Sequence, residues 1–114
     1  MKKFLVLYLC PTSVIETWMQ TPADERKVAE EKMRAEWDAW MHTHGSALTE
    51  TAGAGKTKSV TNDGVTDTKN EVMLYSIVEA ESHEAAADLF KGHPHFGIPE
   101  ASIEVMALNP LTDM

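Results

Sequence analysis

The stretch Lys3-Phe4-Leu5-Val6-Leu7-Tyr8-Leu9-Cys10, which Pro11 follows, decides the fold. Its residues favour a β-strand, and Pro11 ends the strand because proline has no backbone N–H to donate to a neighbouring strand. Both alternating sides of the stretch are apolar, whereas a strand that faces water on one side alternates apolar and polar residues. We therefore expect a strand that is covered on both faces.

Helix and strand signals continue along the rest of the chain. Ser13 and Glu16 have the spacing of a capping box, Pro22 suits the first turn of a second helix, and Ser82 suits the N-cap of a third. Asp63-Gly64 is typical of a hairpin turn. The predicted elements are a short helix over 13–20, a long helix from 21 to 45, a weak strand over 56–61, a strand over 72–78, a helix over 82–92 and a last strand over 102–108.

This order of elements predicts an α+β fold of the ferredoxin-like βαββαβ type, as a single domain over residues 1–114. In that fold an antiparallel sheet carries helices on one face. We expect the other face to carry Phe4, Val6 and Tyr8, with Tyr75 and Met106 beside them. Because soluble monomers rarely expose an apolar patch of several hundred Å², the pattern predicts a homodimer whose two sheets cover each other.

Composition and charge exclude several classes of protein. The chain has 114 residues, 43% of them hydrophobic and 25% charged, which is too apolar for a mostly disordered protein. Its net charge of −8 repels phosphate, so we expect no nucleic-acid partner. The longest apolar stretch, 4–11, is far shorter than the ~20 residues of a membrane helix, so we expect no membrane partner. One cysteine fits a reducing, cytoplasmic location.

Two apparent motifs fail on inspection. Ala54-Gly55-Lys56-Thr57 resembles part of a phosphate-binding loop, but Glu50 stands where the first glycine of that loop belongs. His83-Glu84-Ala85-Ala86-Ala87 begins like a zinc-protease helix, but Ala87 replaces the second histidine ligand. We therefore expect neither a nucleotide site nor a zinc site at these positions.

His93-Pro94-His95 is the most chemically informative segment of the chain. In an extended segment, residues two apart point to the same side, so both imidazoles could reach one ligand or one metal ion. The structural alternative is that His93 caps the preceding helix and His95 packs at the rim of the sheet. Because no further ligand lies nearby in sequence, we expect no metal and no cofactor.

The candidate site is built around this segment. We expect His93 and His95, as the catalytic candidates, at the mouth of a pocket, with Tyr8 and Glu104 on the sheet face beneath them. An imidazole beside a carboxylate could act as an acid or a base near neutral pH. Two aromatic residues complete the predicted ligand-binding set: Trp18, on a short helix between prolines that could act as a lid, and Tyr75.

Several segments together resemble the YCII-related (DGPF-domain) family. They are the opening Lys3–Tyr8, the turn Asp63-Gly64 before Glu71, the strand Tyr75–Glu79, the helix start Glu81–Ala86, the loop His93-Pro94 and the ending Ser102–Met106. The resemblance spans nearly the whole chain and implies a dimeric α+β barrel.

The chain also departs from the family pattern. Val65-Thr66 stands where the signature has Pro-Phe, and His93 stands where some members have an aspartate. The early turns of the first helix lack the histidine that would pair with it, so the family's dyad is not carried over. Two functions remain open: a small-molecule-binding domain with a pocket between the sheet and its dimer mate, or a non-catalytic dimerisation or regulatory domain that acts on a partner protein.

Overall fold

The computed structural model describes residues 1–113 and has the α+β architecture that the sequence predicts. Within this range the chain forms six strands and three α-helices. The strands are β1 (Lys2–Leu9), β2 (Leu48–Gly53), β3 (Thr57–Thr61), β4 (Gly64–Thr68), β5 (Val72–Ala80) and β6 (Ser102–Ala107). The helices are α1 (Thr12–Met19), α2 (Ala23–His44) and α3 (His83–Asp88).

Four of the strands form one antiparallel sheet in the order β2-β5-β1-β6. The first strand is therefore central, and it pairs with the last strand as the ferredoxin-like order requires. In this register Leu7 lies between Tyr75 on β5 and Glu104 on β6. The pairing fixes which side chains share a face, because successive residues of a strand point to opposite sides.

The two faces of the sheet are the reverse of the prediction. Phe4, Val6 and Tyr8 are buried under the helices, packed with Trp40 and Phe90 in the core. The open face instead carries the alternate residues of β1 and their neighbours, which are Leu5, Leu7, Leu9, Tyr75, Ile77 and Met106. The prediction was right for Tyr75 and Met106 and wrong for Phe4, Val6 and Tyr8. Both sides of β1 are apolar, so the sequence alone does not distinguish them.

The segment between α2 and β5 holds more structure than the sequence predicts. β2 is a mostly exposed edge strand of the main sheet, and β3 and β4 form a separate two-stranded hairpin. The turn lies at Asn62–Asp63, and Gly64 has a φ of +132°, which an L side chain rarely adopts. A hairpin turn is therefore present, one residue before the predicted Asp63-Gly64. Both β2 and β4 were missed, and the strand predicted over 56–61 belongs to the separate hairpin and not to the main sheet.

The molecule is a flat slab of 49 × 46 × 20 Å with a radius of gyration of 16.1 Å. A compact chain of this length would have a radius near ~13 Å. Three parts make few contacts with the sheet: α1, the first half of α2 and the β3–β4 hairpin. None of the helices within residues 1–113 is both long enough and apolar enough to cross a membrane.

Candidate functional site

The predicted site residues lie in three separate places. Tyr8, His93 and His95 form a buried cluster between the sheet and the helices, which we call the inner cluster. Tyr75 and Glu104 lie on the open face, on either side of Leu7. The prediction that Tyr8 and Glu104 share a face is therefore wrong, because they occupy positions of opposite parity across β1 and β6.

Tyr8 anchors the inner cluster to the sheet through a chain of hydroxyl groups. Its hydroxyl lies 2.8 Å from Ser76 Oγ, which lies 2.8 Å from Thr51 Oγ1 on the edge strand β2. Tyr8 and Ser76 are fully buried, so these hydrogen bonds satisfy polar atoms that water cannot reach. The chain of hydroxyls links β1, β5 and β2 on the helix side of the sheet.

His93 lies among aromatic rings at the centre of the inner cluster. It is 2% exposed, and its ring centroid lies 4.4 Å from those of both Trp37 and Trp40, with the imidazole edge-on to each indole. Its Nδ1 accepts a hydrogen bond of 2.9 Å from the backbone N–H of His95. Nδ1 therefore carries no proton in the neutral ring, and the proton lies on Nε2. No polar partner for Nε2 exists among residues 1–113, so this N–H points at the aromatic surroundings.

His95 is also buried, at 1% exposure, and it joins the loop to the end of β1. Its Nε2 lies 2.9 Å from the carbonyl oxygen of Leu9, so the neutral ring donates its proton there. The loop forms a 3-10 turn over Pro94–Gly97, and Pro94 at its start limits the freedom of the backbone. The expectation that both histidines stand at a pocket mouth is wrong for the single chain, because both rings are covered.

Burial changes the acid–base properties of the inner cluster. Together with the positive charges that His95 and His44 would carry, it lowers the pKa of His93 to about 4. Burial lowers the pKa of His95 as well, although hydrogen bonds to the backbone of Leu9 and Ser102 act in the opposite direction. Both imidazoles are therefore neutral at pH 7. A base with a pKa of about 4 is poorly matched to proton transfer at that pH.

The open face carries a second set of polar groups within its apolar surface. A hydrogen bond to Glu50 raises the pKa of Tyr75. Glu50 lies on β2 opposite Ile77, and Glu104 lies opposite Leu7 on the other side of the sheet. These groups are accessible, since Glu50 and Glu104 are exposed and Tyr75 is half-buried. Two carboxylates and a phenol therefore lie on the face of the sheet opposite the helices, which no element within residues 1–113 covers.

Trp18 lies apart from both groups. It is half-buried on α1, whose eight residues pack on no other element of residues 1–113 to any large extent. One contact joins α1 to α2, where Arg26 Nη1 lies 3.8 Å from Met19 Sδ. The structure thus places Trp18 on a projecting segment, as a lid would need, without bringing it to the other predicted site residues.

Two depressions of the described surface contain no predicted site residue. One of about 520 Å³ is an open groove along α2, lined by five residues from Asp24 to Lys32. The other, of about 220 Å³, lies between α3 and β6 and is lined partly by Phe90, Phe96 and Val105. Residues 1–113 also hold no group of three or more metal-ligating side chains. Neither depression therefore offers a ligand site built from the predicted residues.

Three residues of this arrangement were not among the predicted site residues. Trp37 and Trp40 pack in the core and make edge contacts with His93. Glu50 lies on a strand that was missed, so its position beside Tyr75 had no signal in the sequence. A carboxylate in an alternating polar stretch normally indicates a solvated edge.

Comparison with models of known protein families and with curated proteins finds no match. Among solved structures, the chain is similar to 5-chloro-2-hydroxyhydroquinone dehydrochlorinase from Burkholderia phenoliruptrix AC1100, in complex with 2,5-dihydroxybenzoquinone. The TM-score is 0.50 at 14% sequence identity, and the match covers 91% of each chain. The similarity shows the fold alone, an α+β arrangement of an antiparallel sheet and helices. At this identity it shows nothing about activity.

Proposed function

We propose that the protein is a homodimeric domain that binds a small molecule between the open sheet faces of its two subunits. The observation that carries the proposal is the uncovered apolar face of the sheet. Leu5, Leu7, Tyr75 and Ile77 lie on it around the centre of the sheet. A soluble monomer rarely leaves such a surface in water, and a second copy related by a two-fold axis covers it with an identical surface.

The polar groups of this face support a ligand site within the interface. Tyr75 and Glu104 were predicted to bind ligand, and Glu50 joins them through its hydrogen bond to Tyr75. Polar side chains inside an apolar interface lose their water and need hydrogen-bond partners, which a small molecule supplies. The structural neighbour was solved with 2,5-dihydroxybenzoquinone, so at least one protein of this fold holds a small ring compound.

The proposed roles of the other predicted residues follow from their positions. His93 and His95 support the site from the opposite side of the sheet, and acid–base chemistry at them requires the ligand to enter the inner cluster. Tyr8 also lies on the helix side of the sheet, opposite the open face. Trp18, on the projecting α1, reaches a ligand only across the dimer or after movement of that helix. We further propose membership of the YCII-related family and a cytoplasmic location.

Light scattering with two matched variants tests the dimer. Met106 is 42% exposed on the open face and Met19 is 62% exposed on α1, so the folded single chain tolerates a charge at either position. We expect about twice the 12.6 kDa chain mass for the wild type and for Met19→Glu, and a monomer for Met106→Glu. A monomeric wild type at micromolar concentration would refute the proposal.

Native mass spectrometry of freshly purified protein tests the ligand. We expect the dimer peak to carry additional mass that Tyr75→Phe and Glu104→Gln remove. Glu31→Gln, at an exposed position of α2, serves as the control and retains that mass. If the added mass instead disappears in His93→Asn or His95→Asn with unchanged melting temperature, the ligand lies in the inner cluster and the placement on the open face is wrong.

A second function, a non-catalytic dimerisation or regulatory domain, is favoured by the filled inner cluster. His93 packs against two indoles and leaves no cavity beside it among the described residues. If the dimer forms without additional mass and Tyr75→Phe strengthens it, the interface is dry and the domain acts through a protein partner.

A further inference from the structure

The β3–β4 hairpin is poorly supported by its own chain. Within residues 1–113 its two five-residue strands pair with each other and pack on no other element to any large extent. Apart from Thr57 and Ser59, which are half-buried, every residue from 57 to 68 is exposed. A two-stranded hairpin that packs on nothing is marginally stable in water. An additional surface is therefore needed to hold this hairpin in place.

Near its tip the hairpin has an exposed pair of apolar side chains that an additional surface would cover. Val60 and Val65 are directly opposite each other across the two strands, and they are 75% and 61% exposed. Lys58 and Asp67 form the next pair on the same side, with a hydrogen-bonded ion pair of 2.7 Å. The exposed side thus combines a β-branched apolar pair with a neutralised charge pair, a combination suited to packing against another surface.

The charge of the segment indicates what that surface is. Residues 54–70 contain three lysines and two aspartates, a net charge of +1. The rest of the chain has seven basic and sixteen acidic side chains, a net charge of −9. The segment is therefore attracted to the body of another copy of this chain, whereas it would gain nothing from a basic partner.

The position of the hairpin also fits a second copy. It continues directly from β2 and β5, the two strands that carry Ala52, Tyr75 and Ile77 of the open face. Two sheets that pack face to face lie ~10 Å apart, and strands of five residues extend ~17 Å. The hairpin is thus longer than the separation of two packed sheets, so from the margin of the sheet it can contact a neighbouring subunit.

We propose that the β3–β4 hairpin is an intersubunit arm, which packs its Val60–Val65 side on the acidic body of a second copy of this chain. This inference rests on the proposed homodimer. Besides the contact between the two sheet faces, it adds a second contact between the hairpin of one subunit and the acidic body of the other.

Variants of the arm test the proposal against a matched control. We expect Val60→Ser/Val65→Ser to raise the dissociation constant of the dimer at least about tenfold, since the loss of apolar burial counts twice in a two-fold dimer. Val28→Ser, at a valine of α2 that is 68% exposed, leaves the constant unchanged. Lys56→Glu/Lys69→Glu should also weaken the dimer, and more so at low salt because salt screens charge interactions.

Hydrogen exchange on the wild type supplies a test without any substitution. The amides of 57–68 should become more protected as protein concentration rises through the dissociation constant. In one outcome Met106→Glu dissociates the dimer, whereas the changes at Val60, Val65, Lys56 and Lys69 leave its dissociation constant unchanged. This result would overturn the proposal of an intersubunit arm and leave the proposed function intact. A wild type that stays monomeric overturns both.

Discussion

His93 makes the stability of the protein depend on pH at the scale of a single residue. Its pKa is lowered from 6.5 to about 4 in the folded chain. The unfolded chain therefore binds a proton more readily than the folded chain between these values, and stability is lost as pH falls through that window. At ~1.4 kcal/mol per pH unit, we expect a loss of about 2 kcal/mol between pH 7 and pH 5.

Urea unfolding at the two pH values measures this loss directly. In His93→Asn the amide oxygen can still accept the His95 N–H, so the cluster keeps one hydrogen bond while its titration disappears. The variant should lose the part of the pH dependence that His93 supplies, about 2 kcal/mol between pH 7 and pH 5, and keep the part that His95 supplies, even if its stability at pH 7 is lower. His42→Asn, at an exposed position of α2, should keep the full dependence. An unchanged dependence in His93→Asn would contradict the assignment.

The hydroxyls beneath the sheet give a second prediction at the same scale. Tyr8→Phe removes one hydrogen bond but leaves Ser76 bonded to Thr51, so we expect a loss of about 1 kcal/mol. Ser76→Ala leaves the Tyr8 hydroxyl buried without its partner, which costs about 1–3 kcal/mol. Denaturant unfolding of both variants should rank Ser76→Ala as the more destabilised, and the reverse order would contradict the hydrogen-bond chain.

Among the elements, two predicted helix caps have different outcomes. Ser82 accepts a hydrogen bond of 3.1 Å from the N–H of Ala85 and caps α3 as expected. Ser13 lies inside α1, which begins at Thr12 after Pro11, and within residues 1–113 no side chain caps this helix. We expect Ser82→Ala to cost about 1 kcal/mol and Ser13→Ala almost nothing, as measured by thermal unfolding. Equal losses would contradict this difference.

These elements also show which parts of the fold can be predicted from the sequence. The strand β5, the hairpin turn and the Ser82 cap follow from local patterns, and the structure confirms them. The strand β2 is polar at most positions and is held by its pairing with β5, a contact that no local pattern contains. The faces of β1 were inverted for a related reason. Large apolar residues lie on both sides, and the packing of Trp40 and Phe90 on one side decides which is buried.

The candidate site was less predictable than the fold for the same physical reason. Tyr8, His93 and His95 do come together, because the loop after α3 returns to the end of β1. The burial of the two histidines, however, depends on Trp37 and Trp40, which lie more than fifty residues away from them along the chain. Whether the open face holds a ligand depends on a second subunit, which a single sequence does not describe.

At the scale of the whole molecule, core burial should be sufficient to hold the fold without a metal ion. The core is built from aromatic and aliphatic side chains around β1. The single cysteine, Cys10, is buried and free. We expect a chelator such as EDTA to leave the melting temperature unchanged within error, as measured by calorimetry. A large decrease would indicate a structural metal site that involves His93 and His95.

The flat shape of the chain leads to the last prediction, which concerns the dependence of stability on concentration. A monomer unfolds at the same temperature at every concentration, whereas a dimer that dissociates on unfolding is stabilised by mass action. If the open face is covered by a second copy, each tenfold increase in protein concentration stabilises the dimer by ~1.4 kcal/mol. For a dimer of chains this size the melting temperature then rises by about 2–4 °C. Differential scanning calorimetry across the micromolar range measures the rise, and Met106→Glu should remove it while Met19→Glu retains it. If the melting temperature of the wild type is independent of concentration, the protein unfolds as a monomer. The uncovered face of Leu5, Leu7 and Ile77 would then need an explanation other than a second copy.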